Sequence, residues 1–295
     1  MIRGILLGAL LVAAIAANCV AERVSFPDAG LETAVREAIG RASGDINTSQ
    51  LEDLETLDAS AREIANLEGI QYCTNLIELR LMDNVVVDLD PLSDLTSLLT
   101  LDLSGNQIVD LTPLSKLIQL TTLRAGNNRI IELEPLAALA LVNPQDGGLR
   151  SLELEGNNIS NLSALGELVS LQKLVLHNNQ IRDISSLSTL TNLASLSLRD
   201  NQITDIGALA SLRRLKILVL DNNQIADITV LAKLEDLLGL WLTGNPIVNL
   251  QPLVDNPGLD FGDRIYICSD QLDASLAAQH ILALSRRGVY VYEFW

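Results

Sequence analysis

The sequence is poor in the residues from which most active sites are built. Among 295 residues there are two histidines, His177 and His280, and three cysteines, Cys19, Cys73 and Cys268. That scarcity excludes a disulfide-stapled scaffold and leaves no histidine and cysteine cluster with metal-binding spacing. Two Trp, four Tyr and three Phe make up only 3% of the chain. Any large core must therefore be aliphatic, and a sugar site, which favours several exposed aromatics, has little to draw on. Positive charge is short too: 20 Lys and Arg against 37 Asp and Glu give a net charge of -17. A chain of that sign repels phosphate backbones and anionic membranes, so neither nucleic acid nor such a surface is an expected partner.

What the sequence has in abundance is leucine at fixed intervals. Asn84, Asn106, Asn128, Asn157, Asn179, Asn201, Asn223 and Asn245 fall 22 residues apart except for one step of 29. Each closes the phrase LxxLxLxxNxIxxL, as in Leu98, Leu101, Leu103, Asn106, Ile108 and Leu111. Copies begin at Leu54, Leu76, Leu98, Leu120, Leu149, Leu171, Leu193, Leu215 and Leu237, nine in all, with Arg62 in the asparagine's place in the first. A tenth, degenerate copy reads Ile265, Ile267, Asp270, Leu272. A period in this range means a solenoid. The long step comes from seven extra residues within Ala140 to Gly148, and such insertions become loops on one face of an array.

The letters of one unit follow from packing. In LxL both leucines point inward and the residue between them points out, the period of a strand. Stacked copies pair these strands into a parallel sheet with one continuous leucine core, which no single copy could bury alone. The second half of the unit, such as Asp110, Leu111, Thr112, Pro113 and Leu114, predicts a tight helical turn with an acid at its cap and proline early. The expected architecture is an α/β solenoid with a parallel concave sheet, short helical turns on the convex side and a helical cap at each end.

Two polar columns run along this frame. An asparagine amide has both a donor and an acceptor, so at a buried bend it can satisfy backbone groups of its own turn and of the neighbouring copy. A catalytic group is not needed eight times. The acidic column Asp88, Asp110, Asp183, Asp205 and Asp227, with Asn66, Asn161 and Asn249 in register, is read as capping. Calcium ligation is the alternative, but one acid per turn does not supply six to eight converging oxygens. No metal or other cofactor is expected.

The ends differ from the array. Residues 1–21 read as a secretory signal peptide: Arg3, an apolar run of 13 from Ile5 to Ala17, then small residues, with cleavage after Ala16 or Ala21. The run is too short to span a bilayer. A lipid anchor at Cys19 is the alternative, against which Asn18 counts. The mature chain is expected to be secreted or held in the cell envelope, a monomer without a transmembrane segment. Residues 22–50 form a front cap, with a helix opened by Pro27 and Asp28 that runs to Gly40 and turns Leu31, Val35 and Ile39 inward. Residues 51–257 carry the nine copies. Residues 258–295 hold the degenerate copy, a helix from Asp273 to Arg286 with Ala277, Ile281 and Leu284 inward, and a last strand, Val289 to Tyr292. Nine strand steps put Cys73 and Cys268 about 40 Å apart, beyond disulfide reach. Both are expected to be buried as small hydrophobes.

The phrase LxxLxLxxNxIxDLxPLxxL, seen at Leu98 to Leu117, resembles the 22-residue leucine-rich repeats of the internalin and SDS22-like class, over about Leu51 to Leu253. The segments FPDAGLETAVREAIG and HILALSRRGVYVYEF look like the caps of exported bacterial proteins of that class. The resemblance implies a leucine-rich repeat horseshoe or arc that binds a protein or peptide on its concave sheet.

On that face the residue between the leucines reads Asp58, Arg80, Asp102, Arg124 and Glu153, then Val175, Ser197, Val219, Trp241 and Tyr266. The first five alternate in sign, as cross-strand ion pairs would. The second five turn apolar, and Lys173, His177, Arg199, Ile217 and Asp221 flank them. Exposed Trp and Tyr with Arg nearby fit the make-up of interface hot spots. The expected partner-binding residues are Val175, His177, Arg199, Ile217, Val219, Trp241 and Tyr266; the bland alternative is that Trp241 and Tyr266 only cover the end of the array. An enzyme would have to be built around His177, with Glu155, Arg199 and Ser197 near it, but no nucleophile elbow or phosphate loop appears. Extracellular adhesion or carbohydrate binding is the third function class.

Overall fold

The computed structural model describes residues 22–141, 148–268 and 272–294. The proposed signal segment with Cys19, most of the insertion, and Asp270 lie outside them.

The LxL phrases form the strands expected of them. Nine three-residue strands, β3 (Thr56–Asp58), β4 (Glu78–Arg80), β5 (Thr100–Asp102), β6 (Thr122–Arg124), β7 (Ser151–Glu153), β8 (Lys173–Val175), β9 (Ser195–Ser197), β10 (Ile217–Val219) and β11 (Gly239–Trp241), follow β1 (Arg23–Val24) and β2 (Ile46–Asn47). With β12 (Arg264–Cys268) and β13 (Tyr290–Phe294) they make one parallel sheet of 11 strands in chain order. Leu101 faces Leu79 on one side and Leu123 on the other, so each inward leucine stacks on its counterparts. The 29-residue step leaves this register untouched, because Leu123 pairs with Leu152 directly. The 3-10 segment of this step, Glu134–Leu141, is longer than its counterparts such as Thr112–Lys116. A single core of buried Leu, Ile and Val runs from Val24 to Val289.

The asparagine column ties coil to coil. Asn106 Nδ2 donates to Leu81 O of the preceding coil and to Leu103 O of its own, each at 2.9 Å, while its Oδ1 accepts from Val86 N of the preceding coil at 3.0 Å. The same three bonds recur at Asn201, with Leu176 O, Leu198 O and Ile181 N. Immediately before each asparagine the backbone turns left-handed: φ is 56° at Asp83, 69° at Gly105, 54° at Asn127, 57° at Asn178 and 53° at Asp200. Only Gly, Asn and Asp adopt that conformation readily, and they alternate there.

The acidic column caps. Asp110 Oδ1 accepts from Thr112 N at 2.8 Å, Asp183 Oδ1 from Ser185 N at 2.8 Å, and Asn161 Oδ1 from Ser163 N at 3.0 Å. Each side chain closes the entry to a 3-10 turn such as Thr112–Lys116. The Thr112 hydroxyl, then its amide, hold the Asp110 carboxyl below its ordinary value.

At the front, α1 (Ala29–Ala38) buries Leu31, Ala34 and Val35, and short α2 (Thr48–Leu51) leads into the first coil. Asp28 does two things at once. Its Oδ1 caps α1 through Gly30 N and Leu31 N, and its Oδ2 accepts from Ala65 N and Asn66 N of the first coil. Burial raises its pKa, yet those four amides together outweigh burial and hold it below the ordinary value. Arg62, in the asparagine's place, reaches back to Glu37 at 2.5 Å. At the rear, α3 (Gln251–Asp255) replaces the last 3-10 turn, and α4 (Ala274–Arg286) buries Ala277, His280 and Leu284. Arg287 bonds Val254 O at 2.9 Å and Asn256 O at 2.5 Å, fixing α4 to the array.

Two expectations need correction. The last strand runs from Tyr290 to Phe294 rather than from Val289 to Tyr292, because Val289 is drawn into the core. Cys268 is not buried like Cys73: it is half-buried, in register with Phe294 on the neighbouring strand. Both thiols are free, and burial pushes Cys73 up to about 12.

Candidate functional site on the concave sheet

Side chains alternate across the sheet, so Asp58, Arg80 and their successors line its concave face. In the front half they pair in two separate pieces. Arg80 lies 2.5 Å from Glu78 on its own strand and 3.8 Å from Asp58 on β3. Arg124 and Lys173 reach the same Glu153 oxygen from either side, at 3.3 and 3.0 Å. Asp102 stands in register between Arg80 and Arg124, but its Oδ1 accepts from Ser104 N at 3.1 Å and it joins no ion pair among the described residues. The ladder is therefore broken at its middle rung.

The rear half carries a stack of rings. Trp241 and Tyr266 lie 4.9 Å apart between centroids with their planes 7° apart, and Tyr266 and Tyr292 lie 4.7 Å apart at 11°. Phe294 lies 6.4 Å from Tyr266. Parallel strands in exact register place these rings one step apart, and each such pair adds about 1 kcal/mol beyond burial. Gly239 makes room for the stack. A Cβ there would meet Trp241 ring atoms at 2.7 and 2.9 Å and Ile217 Cδ1 at 3.2 Å. Beside the rings lies an open hollow of about 380 Å³, lined by Arg199, Asp221, Asn222, Trp241, Thr243, Tyr266 and Phe294.

The sequence-predicted residues divide. Arg199, Trp241 and Tyr266 meet in the hollow. Ile217 borders Trp241, and Val219 faces it in register from β10. Val175 and His177 belong to the β8 coil, one coil before Arg199, and fall outside the lining. His177 joins no ion pair among the described residues. Half-buried Glu155, in the same outward column as His177, has an oxygen, Oε2, without a hydrogen-bond partner among the described residues.

Sequence reasoning missed Tyr292, Phe294 and Gly239, and it gave Asp221 no role. The signal was present. Alternation in Tyr290-Val291-Tyr292-Glu293-Phe294 puts three aromatics on one face, and glycine breaks the Lys173, Ser195, Ile217 column at position 239.

Comparison with known proteins places this geometry. A family model described as leucine rich repeats in two copies matches residues 74–116, 148–189 and 191–233. The chain is similar to the crystal structure of an internalin, inlF, from Listeria monocytogenes, with a TM-score of 0.82 and 32% identity over 91% of this chain and 75% of that one. It is similar also to internalin C2 of that organism, with a TM-score of 0.68 and 38% identity over 72% of this chain and 92% of the other. A stretch of 65 residues is 37% identical to Internalin H of Listeria monocytogenes, which amounts to 21% of this chain and 12% of that protein's length.

Proposed function

Because the chain belongs to the internalin-like family of leucine-rich repeat proteins, we propose that it is an exported, non-enzymatic module that binds a protein or peptide partner on its concave sheet. The observation that carries this reading is the contrast within that face, ion-paired in front and aromatic behind. A solvated structural face has no need of a half-exposed Trp, Tyr, Tyr and Phe cluster around a hollow, whereas interface centres are rich in such rings. Val219, Ile217, Trp241 and Tyr266 form the centre of the docking surface, with Arg199 beside them; Val175 and His177 extend it toward the middle of the array. The ring faces of Trp241 and Tyr266 are turned toward each other, which leaves them little to offer the face of a sugar and weighs against the carbohydrate reading. The N-terminal segment directs export. Among the described residues no helix is long and apolar enough to cross a membrane.

The test is capture of partners by crosslinking from extracts, comparing wild type with Trp241→Ala combined with Val219→Ala. Loss of specific partners with an unchanged circular dichroism spectrum is expected. Unchanged capture by the folded variant sinks the assignment.

A further inference from the structure

The charge balance in the aromatic hollow carries the reading of the concave face one step further, and rests on it. Arg199 Nε lies 2.9 Å from Asp200 Oδ2, and Asn222 Nδ2 lies 2.6 Å from Asp200 Oδ1. Asp200 thus neutralises Arg199, and both its oxygens are engaged. Asp221 is different. It is only 6% exposed, and its Oδ1 accepts from the Thr243 amide at 2.9 Å and from the Thr243 hydroxyl. Its second oxygen, Oδ2, has neither a hydrogen-bond nor an ion-pair partner among the described residues, yet it is not sealed in as Glu155 Oε2 is. Asp221 lines the hollow beside Trp241, Tyr266 and Phe294, and Oδ2 is its one oxygen left for a ligand there.

A recessed carboxylate with one oxygen unpartnered, next to an apolar wall, offers a charge-assisted acceptor to a cation whose stem is apolar. We infer that the hollow receives one cationic side chain, an arginine or lysine, from the protein partner. Its aliphatic stem lies along the aromatic wall and its charged head reaches Asp221 Oδ2. The chain as a whole favours the same sign of partner, since 37 acidic residues against 20 basic ones draw a basic surface toward it. Arg199 does not oppose this, because Asp200 already answers it.

The probe is a short peptide, acetyl-Gly-Leu-Arg-Leu-Gly-amide, with lysine, citrulline or glutamate replacing the arginine. It is titrated against the full chain and followed by indole fluorescence and backbone amide shifts. Arginine and lysine peptides bind with shifts confined to the hollow, and citrulline, equal in shape but neutral, binds at least about tenfold more weakly. Raising NaCl from about 0.05 to about 0.5 M weakens the arginine peptide and not the citrulline one. Asp221→Asn, which keeps an oxygen for Thr243, erases the preference, whereas Thr243→Val retains it. Equal affinity of arginine and citrulline peptides for the wild type overturns the inference without any variant, as does tetramethylammonium binding as tightly as the arginine peptide. If Asp221→Asn captures partners normally while Trp241→Ala with Val219→Ala does not, concave binding stands and the cation assignment alone falls. If neither affects capture, both fall.

Discussion

From β3 to β7 the concave column alternates from Asp58 to Glu153 and pairs its charges locally on either side of Asp102; from β8 to β13 it passes through Val175 and Val219 to the stacked Trp241, Tyr266 and Tyr292. The hollow at the front, about 220 Å³ between Asp58, Glu78 and Arg80, is walled by charges that already have partners. The rear hollow is walled by rings and one carboxylate with an oxygen to spare. Beneath both halves the asparagine and leucine frame is the same, bond for bond. The lesson is a division of labour across a strand: residues facing inward repeat because stacking demands it, and residues facing outward are free to differ.

The strongest way to break this comparison is to attack the frame under each half. Asn106→Ala, below the charged half, and Asn201→Ala, below the apolar half, each leave one buried N–H, Val86 N or Ile181 N, without a partner and remove one of the two amide bonds at each of two carbonyls. Both should destabilise by about 3 kcal/mol, at roughly 1–3 kcal/mol for the N–H left unpaired and about 0.5 kcal/mol for each carbonyl bond lost. Urea unfolding that finds one tolerated and the other not would show that the frame is not shared in energy as it is in geometry. A second test contrasts the surfaces. Trp241→Ala should weaken partner binding by about 2 kcal/mol, near thirtyfold, and Arg80→Ala by less than about 1 kcal/mol, with neither changing the fold. Equal losses in a binding titration would end the assignment of the site to the rear half.

The two ends offer a third contrast. The front cap is attached through the Asp28 carboxylate, the rear through the Arg287 guanidinium. The pKa of Asp28 is lower in the folded chain than its ordinary 3.8. Its contribution is therefore complete above that value and is lost as pH falls through the lower, folded value. The Arg287 contact is made to backbone carbonyls and contains no carboxylate. Hydrogen exchange at acid pH should show α1 opening before α4, and Asp28→Ala should loosen α1 at neutral pH by about 1 kcal/mol. The smallest effect belongs to the charged half. A double-mutant cycle on Arg124 and Glu153, both partly exposed, should give a coupling below about 1 kcal/mol that vanishes in high salt.

Much of this contrast was legible before any coordinates. The 22-residue spacing fixes which leucines are inside, and the residue between them must then lie on the concave face, so Trp241 and Tyr266 could be assigned to it by counting. The asparagine and aspartate columns were likewise readable, because their chemistry suits a bend and a cap. What could not be read was which outward residues meet. Arg199 and Asp221 sit in the flanking column, and only the side-chain packing shows that Asp200 takes up the first and leaves the second open. Tyr292 and Phe294 escaped because the last strand lies outside the repeat phrase, where the ruler of 22 no longer applies. Cys268 was misjudged for the same reason, since the degenerate strand carries it past the leucine positions.

The asparagine bonds also have a direction. Each amide belongs to one coil but completes the coil before it, as Asn128 does when its Oδ1 accepts from Ile108 N. In a chain that emerges amino end first, the newest coil waits for an amide that lies in the coil after it. Each coil is sealed by the asparagine of the next. The array thus closes with a direction, each repeat completed from its carboxyl-terminal side.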